Sequence, residues 1–320
     1  MKLNRRTFIT GTAAAGALTV LPSVRAHAAV GPDSYATLID LTRCDGCVEH
    51  DQPLCVTSCR SGRADVFPQP PAEQLRDYWP QKKHEDWSQK QHVTNRFTPY
   101  NWIFVQQVQV GDRTVSVPRR CMHCDNPPCA KLCPFGVKHK TPEGPVYIDH
   151  SLCFGGAKCR SVCPWEVPQR QAGVGIYTLW QKYLPVGGGV MYKCDLCRDR
   201  LAEGATPLCI DACPRQAMKI GNRSEILEEA LQLKQQYDGD IYGMEENGGT
   251  STIYVSDVPF SDIDTALVEQ AGNNAKFPRL NSVGNMLEKQ KNWAMLSIVS
   301  PVVGALAAIG LSTRSSGEDS

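Results

Sequence analysis

Two long apolar stretches lie near the ends of the chain. The first, Thr10 to Leu21, follows the pair Arg5-Arg6 and precedes the small-residue motif Ala26-His27-Ala28. A basic segment, an apolar run and an A-x-A site in this order are typical of a signal peptide, and the paired arginines indicate the twin-arginine export route. We therefore expect residues 1–28 to be a twin-arginine signal peptide that is removed from the mature protein.

The second apolar stretch, Trp293 to Leu311, is nineteen residues long and contains no charged residue. At about 1.5 Å of rise per residue, a helix of this length covers roughly 28 Å, which is close to the thickness of a bilayer core. Gly304 and Ala308 form a small-xxx-small pair that suits packing against another membrane helix. The pattern predicts a transmembrane helix at residues 293–311, and a buried helix of a globular protein is the alternative.

Shorter patterns between these stretches predict strands. Residues 102–110 and 113–117 are rich in β-forming side chains and flank Gly111-Asp112, which predicts a β-hairpin. Residues 145–149 and 251–255 predict two further short strands. The combination of these strands with the helices described next predicts an α+β fold.

Helical patterns appear after residue 220. Asn222 and Glu225 resemble a capping box, and apolar residues at the following helical spacing predict an amphipathic helix that ends near Tyr237. A second short helix is predicted from Asp262 to Ala271.

The most unusual component is cysteine. Lys and Arg number 34 against 33 Asp and Glu, and this balance gives no sign of a nucleic-acid-binding surface. The fifteen cysteines form four runs and none is left over. Run 1 contains Cys44, Cys47, Cys55 and Cys59; run 2 contains Cys121, Cys124, Cys129 and Cys133; run 3 contains Cys153, Cys159 and Cys163; run 4 contains Cys194, Cys197, Cys209 and Cys213.

Run 2 is the most specific motif, because it reads C-x2-C-x4-C-x3-C and is followed by Pro134. This is a stretched form of the bacterial ferredoxin run that holds iron–sulfur clusters. Disulfides suit an exported protein, but an odd number of cysteines at CxxC spacing favours metal. Structural zinc uses paired CxxC motifs and does not require the C-x3-C-P ending. A c-type haem is excluded because Val48, Asp125 and Arg198 stand where C-x-x-C-H needs histidine.

The runs are expected to pair. In a two-cluster ferredoxin, three cysteines of one run and the fourth cysteine of the other hold each cluster. Runs 2 and 3 are adjacent in sequence and pair with each other, which leaves runs 1 and 4 as the second pair. Three [4Fe–4S] sites are predicted: site 1 with Cys44, Cys47, Cys55 and Cys213; site 2 with Cys194, Cys197, Cys209 and Cys59; and site 3 with Cys121, Cys124, Cys129 and Cys163.

Site 4 has only three predicted thiolates, Cys153, Cys159 and Cys133, because Gly156 stands where run 3 needs a cysteine. Three ligands suit a [3Fe–4S] cluster, and a [4Fe–4S] cluster with an oxygen ligand is the alternative. We interpret His123, inside run 2, as an ordinary loop histidine, and the alternative is a residue that tunes the potential of a cluster. With no visible nucleotide, flavin or molybdenum motif, the protein is expected to transfer electrons and to have no catalytic residue of its own.

These motifs resemble the four-cluster iron–sulfur (β) subunits of membrane-bound periplasmic oxidoreductases. The resemblance covers about residues 36–258 and rests on Cys121-Met-His-Cys-Asp-Asn-Pro-Pro-Cys129, Lys193-Cys-Asp-Leu-Cys197 and Cys209-x3-Cys-Pro214. The signal peptide and the C-terminal helix make the protein most similar to the hydrogenase-2 ferredoxin-like subunit and the formate dehydrogenase-N β subunit. The long gap from Cys47 to Cys55 departs from the family pattern.

The resemblance implies two interleaved ferredoxin-like (dicluster) units within residues 36–220. Residues 61–120 are an insertion, expected to form an ordered surface loop whose aromatic side chains pack, and residues 221–292 are a C-terminal extension. The implied role is to relay electrons between a periplasmic catalytic subunit, of hydrogenase or molybdopterin formate dehydrogenase type, and a cytochrome b or other quinone-reactive membrane subunit. The implied location is the periplasmic face of the bacterial inner membrane.

Other functions remain open from the sequence. A β subunit of a thiosulfate/polysulfide or dimethyl sulfoxide type reductase is the nearest alternative. A catalytic iron–sulfur enzyme that binds substrate at site 4 is a second, and a zinc-stabilised structural module is a third.

Overall fold

The computed structural model describes residues 34–77, 82–180, 183, 187–272 and 277–289, which include all fifteen cysteines. The predicted signal peptide and the predicted transmembrane helix lie outside these residues. Within the described ranges, no helix combines the length and the apolar character that crossing a bilayer requires.

The described residues form short strands and short helices. The strands are β1 (Tyr35–Asp40), β2 (Phe104–Val110), β3 (Arg113–Arg119), β4 (Lys138–Lys140), β5 (Val146–Ile148), β6 (Gln169–Gln171), β7 (Val190–Tyr192), β8 (Met218–Asn222), β9 (Asp240–Tyr242) and β10 (Thr252–Ser256). The α-helices are α1 (Leu54–Gly62), α2 (Pro128–Lys131), α3 (Lys158–Ser161), α4 (Arg198–Ala202), α5 (Leu208–Asp211), α6 (Arg223–Tyr237) and α7 (Phe260–Ala271). Single 3₁₀ turns lie at Ala64–Val66, Ala72–Gln74, Ser88–Lys90, Ile176–Leu179 and Glu246–Gly248.

A four-stranded sheet with the order β8-β1-β10-β9 joins the two ends of the described region. Strand β1 runs parallel to β10 and antiparallel to β8, so that Leu38 lies opposite both Ile253 and Lys219. Helix α6 packs Ile226 and Ala230 against this sheet in a small apolar cluster. The C-terminal extension therefore shares a sheet with the strand that precedes run 1.

The predicted hairpin is confirmed by the antiparallel pairing of β2 and β3, which places Val108 opposite Val115. Its strands begin and end within two residues of the prediction. The hairpin packs against the turn between Cys44 and Cys47. A Cβ atom built on Gly46 of this turn would be only 2.4 Å from Gln107 Nε2 of β2. Gly46 also has a φ angle of 72°, a left-handed conformation that glycine adopts at the least cost.

The other strands and helices predicted within the described residues are also confirmed. Helix α6 ends at Tyr237, and the Asn222 side chain accepts a hydrogen bond from the Ser224 backbone N–H at 3.0 Å. Helix α7 begins at Phe260, two residues before the predicted start, directly after Pro259. Strands β5 and β10 lie within or beside the predicted strands at residues 145–149 and 251–255.

Aromatic residues of the insertion enter the core. Phe97, Tyr100 and Trp102 are buried, and the Phe67 ring meets the Tyr100 and Trp102 rings edge-on at 5.9 and 5.6 Å. The packing role predicted for the aromatic side chains is confirmed for these residues, whereas Tyr78 and Trp79 lie outside the described residues. The insertion is therefore part of the apolar core and not only a surface loop.

Candidate iron–sulfur sites

The CxxC segments of runs 1, 2 and 4 lie on tight turns that contain left-handed residues. The φ angles are 52° at Cys47, 47° at His123 and 60° at Leu196. A non-glycine residue in this conformation costs about 1 kcal/mol or more, so the surrounding structure must stabilise the turn. The turn directs backbone N–H groups inward, as the 3.4 Å hydrogen bond from Leu196 N–H to Cys194 Sγ shows.

The second half of runs 2, 3 and 4 repeats one local structure. The next-to-last cysteine of each run (Cys129, Cys159 and Cys209) lies on a four-residue helix. The last cysteine of each run is followed by proline, which cannot continue a helix. Three residues after the last cysteine the backbone becomes left-handed, at Gly136, Glu166 and Gln216. In run 1, Arg60 replaces the proline, and α1 continues through Cys59 to Gly62.

Three internal cavities are each lined by the four cysteines of one predicted site. Site 1 contains Cys44, Cys47, Cys55 and Cys213 with Val105 and Pro118 of the hairpin as walls; site 2 contains Cys59, Cys194, Cys197 and Cys209 with Trp102 and Ile103; site 3 contains Cys121, Cys124, Cys129 and Cys163 with Val146 and Trp165. Each cavity combines three thiols of one run with one thiol of its partner run. Among the described residues, no three His, Cys, Asp or Glu side chains lie close enough to share a single metal ion.

The three predicted cysteines of site 4 line none of these three cavities. Cys153 and Cys159 are buried and close enough for the charge of one to raise the pKa of the other. Cys133 follows α2, which packs against α3, the helix that carries Cys159. Gly156 is exposed. The membership of Cys133 in this site stays a prediction from the ferredoxin spacing.

Burial alone disfavours charged thiols in these cavities. It raises the pKa of Cys44, Cys163 and Cys194 to about 12, and that of Cys209 to about 11. A buried thiolate therefore needs positive charge beside it. Bound iron would supply that charge, so the donor set fits an iron–sulfur cluster.

Buried cations lie beside the same cavities. Arg120 lines site 2 and is 2 % exposed, and its Nε and Nη1 have no hydrogen-bond partner among the described residues. Lys138 is buried with an unpartnered Nζ, and its charge lowers the pKa of both Cys129 and Cys153. Unpartnered buried donors are costly. Thiolates and sulfides of a bound cluster would be acceptors for them.

Several further donors point at cysteine sulfur. The Asn247 side-chain amide donates to Cys124 Sγ at 3.3 Å, Ala217 N–H donates to Cys213 Sγ at 3.4 Å, and Met191 N–H donates to Cys153 Sγ at 3.5 Å. Hydrogen bonds to ligand sulfur are one of the means by which a protein sets the reduction potential of a cluster.

The surroundings of His123 are not those of an ordinary loop histidine. Its side chain is fully buried, Nδ1 accepts a hydrogen bond from Val146 N–H at 2.9 Å, and Nε2 is 3.7 Å from Cys194 Sγ. The buried cations were also missed. One available signal was the basic residue directly before the first cysteine of runs 1, 2 and 4.

The thiols that affect one another's pKa link the sites in the order 1-2-3-4. The charge of Cys209 in site 2 raises the pKa of Cys55 in site 1. The charge of Cys121 in site 3 raises the pKa of Cys194 in site 2. The charge of Cys159 in site 4 raises the pKa of Cys129 in site 3.

Comparison with known proteins supports the iron–sulfur assignment. Two family profiles, both described as a 4Fe-4S dicluster domain, match residues 43–137 and residues 113–223. A protein of Nitratidesulfovibrio vulgaris is 31 % identical over 85 % of this chain and 69 % of its own length. The hydrogenase-2 operon protein HybA of Escherichia coli O157:H7 is 28 % identical over 86 % of this chain and 87 % of its own length.

The B subunit of anaerobic dimethyl sulfoxide reductase from Escherichia coli K12 is 30 % identical over 60 % of this chain and 75 % of its own length. The dicluster matches cover all four cysteine runs. The protein therefore belongs to the family of multi-cluster iron–sulfur electron-transfer subunits that includes HybA and the B subunit of dimethyl sulfoxide reductase.

Proposed function

We propose that this protein relays electrons between a periplasmic catalytic subunit, of hydrogenase or molybdopterin formate dehydrogenase type, and a quinone-reactive or cytochrome b subunit in the membrane. The observation that carries the proposal is the series of three internal cavities, each lined by four thiols from two runs, that leads to the three-thiol site. Bound clusters supply one-electron exchange. The polypeptide has the role of spacing and shielding them and does not catalyse a reaction by itself.

The cofactor content we propose is three [4Fe–4S] clusters and one [3Fe–4S] cluster. The thiol sets of sites 1 to 3 support the first part. Gly156, which stands in place of the fourth thiolate of site 4, supports the second part.

The surrounding residues have three tasks in this function. Hairpin β2–β3 forms one wall of site 1 through Val105 and Pro118. Arg120 and Lys138 place buried positive charge beside the thiol groups. Backbone and amide N–H groups donate to sulfur, and both charge and hydrogen bonding stabilise the reduced form of a cluster.

The chemical test is an analysis of protein purified without oxygen. We expect about fifteen iron ions and about sixteen sulfide ions per molecule. The oxidised protein is expected to give the EPR signal of a three-iron cluster, and dithionite is expected to add signals of reduced four-iron clusters. A colourless protein that contains zinc and no iron would overturn the proposal.

The hydrogenase type of partner is favoured over a dimethyl sulfoxide type reductase by the length of the match. HybA aligns over 86 % of this chain, whereas the B subunit of dimethyl sulfoxide reductase aligns over 60 %. Affinity purification of the tagged full-length protein from membranes of its own source, followed by mass spectrometry, tests this choice. A molybdopterin reductase in constant stoichiometry would select the alternative.

The proposed location is the periplasmic face of the inner membrane, supported by the Arg5-Arg6 signal and the uncharged stretch at residues 293–311. We expect Arg5→Lys combined with Arg6→Lys to keep the precursor in the cytoplasm. We expect a stop codon at Trp293 to release the exported protein from the membrane. Cell fractionation and immunoblotting measure both outcomes, and export of the double-lysine variant at the parent level would contradict the assigned route.

A further inference from the structure

His123 lies in run 2 but contacts a cysteine of run 4. It stands between Cys121 and Cys124, two thiols of site 3, while its Nε2 is 3.7 Å from Cys194 Sγ of site 2. Val146 N–H donates to Nδ1 at 2.9 Å, so Nδ1 carries no proton. The ring proton therefore lies on Nε2, which makes His123 a hydrogen-bond donor to Cys194.

Lys193 makes the reverse connection. It directly precedes Cys194 of site 2, but its Nζ is 3.6 Å from Cys121 Sγ of site 3. The Lys193 side chain is buried, and its Nζ also donates to the carbonyl oxygens of Val146 and Cys194. Val146 therefore orients both side chains, because its N–H donates to His123 and its carbonyl oxygen accepts from Lys193.

We propose that His123 and Lys193 form a crossed pair of hydrogen bonds that couples sites 2 and 3. Each residue lies within or directly before the run of one site and donates to a ligand sulfur of the other site. This inference rests on the proposed iron–sulfur function and deepens it, because it assigns two residues that set the potentials of neighbouring clusters. Both are positioning residues, since neither carries the transferred electron.

The crossed arrangement predicts which cluster each substitution affects. Reduction adds negative charge to a cluster, so a donor to its sulfur stabilises the reduced state. Removal of the His123 donor is therefore expected to lower the potential of the site 2 cluster. Removal of Lys193 is expected to lower the potential of the site 3 cluster most.

The variants can separate the donor from the packing. His123→Asn retains an acceptor in the position of Nδ1 and removes the donor at Nε2, whereas His123→Gln places an amide N–H near the position of Nε2. Lys193→Met removes the charge and Lys193→Arg keeps it. His139→Asn and Lys219→Met, which change exposed residues on β4 and β8, are the matched controls.

EPR-monitored redox titration of the cluster-loaded full-length protein measures the potential of each site, with signals assigned by the ligand variants Cys197→Ser and Cys124→Ser. We expect His123→Asn to reduce the equilibrium constant for reduction of site 2 roughly tenfold, which corresponds to about 59 mV for one electron. His123→Gln should recover part of this loss. We expect a change of similar size at site 3 for Lys193→Met, with recovery in Lys193→Arg.

The outcomes distinguish the inference from the proposed function. A parent protein without iron and sulfide would overturn the function. Fully loaded variants with unchanged potentials, or with each change confined to the site of the residue's own run, would overturn only the crossed pair. If His123→Asn loses a cluster, loss at site 2 supports the inference and loss at site 3 alone contradicts it.

Discussion

Arg120 shows how one residue next to a cysteine run can influence a site. Its guanidinium is buried at site 2, where thiols including Cys209 and Cys194 raise its pKa against the opposing effect of burial. We expect Arg120→Met to lower the reduction potential of the site 2 cluster. For a unit charge ~8 Å away at an effective dielectric constant of ~20, the change is equivalent to about 2 kcal/mol. Redox titration measures the change.

The neighbouring residue is a matched control for Arg120. Arg119 is also buried, but it donates to the Arg279 carbonyl oxygen at 2.8 Å and faces Tyr254 and Tyr242 rather than thiols. Arg119→Met is expected to leave the reduction potential of the site 2 cluster unchanged. Arg120→Lys keeps the positive charge, so it is expected to lower this potential much less than Arg120→Met does. Equal shifts in the Arg119 and Arg120 methionine variants would show that the effect comes from general destabilisation.

Gly156 allows a direct test of the ligand count at site 4. It is exposed, and a Cβ atom built on it would meet only the Phe135 ring, at 3.8 Å. A cysteine therefore fits without displacing its neighbours. We expect Gly156→Cys to add one iron per molecule and to remove the three-iron EPR signal of the oxidised protein, because a fourth thiolate completes the site.

Gly156→Ser is the control for that substitution, because it has nearly the same size and lacks the thiol. It is expected to keep the three-iron signal. A parent protein with no such signal would instead support a four-iron cluster with an oxygen ligand at site 4.

At the scale of elements, sites 1 and 2 depend on the contact between α1 and α5. Gly62 of α1 faces Leu208 of α5, and an added Cβ would lie 2.5 Å from Leu208 Cδ1. Gly62→Val is expected to push the two helices apart and to lower the free energy of unfolding by about 1–3 kcal/mol. It is also expected to reduce the iron content of sites 1 and 2 and to leave that of site 3 unchanged. Iron analysis, EPR and thermal unfolding measure these effects.

Gly284→Val is the comparison, since a Cβ atom at Gly284 meets nothing within 4 Å. It is expected to keep the full iron content and the parent melting temperature. Uniform loss of iron from all sites in Gly62→Val would argue against a local role for the α1–α5 contact.

Elements whose signals are local could be predicted from the sequence. The hairpin around Gly111 and helix α6 after Asn222 depend on neighbouring residues, and both occur as predicted. The two-cluster ferredoxin pattern and the order of the runs predicted the grouping of the cysteines at sites 1 to 3, and the four cysteines of each group line one cavity.

Features that depend on distant contacts could not be predicted. The parallel pairing of β1 with β10 brings Thr37 opposite Thr252, and no short-range pattern indicates that partner. The contact of His123 with Cys194 likewise requires runs 2 and 4 to meet. The burial of Arg120 could not be predicted because arginine is usually exposed. Only the folded structure shows the thiols that compensate its charge.

At the scale of the whole molecule, the order of the sites predicts which clusters interact magnetically. Dipolar coupling between unpaired spins falls with the cube of their separation, so site 4 should couple more strongly to site 3 than to site 1. Cys124→Ala, which removes a ligand of site 3, is expected to abolish the broadening of the site 4 EPR signal in partly reduced protein. Cys47→Ala, which removes a ligand of site 1, should leave that broadening unchanged. The opposite result would contradict the 1-2-3-4 order inferred from the thiol neighbours, and with it a single path for electrons from one end of the molecule to the other.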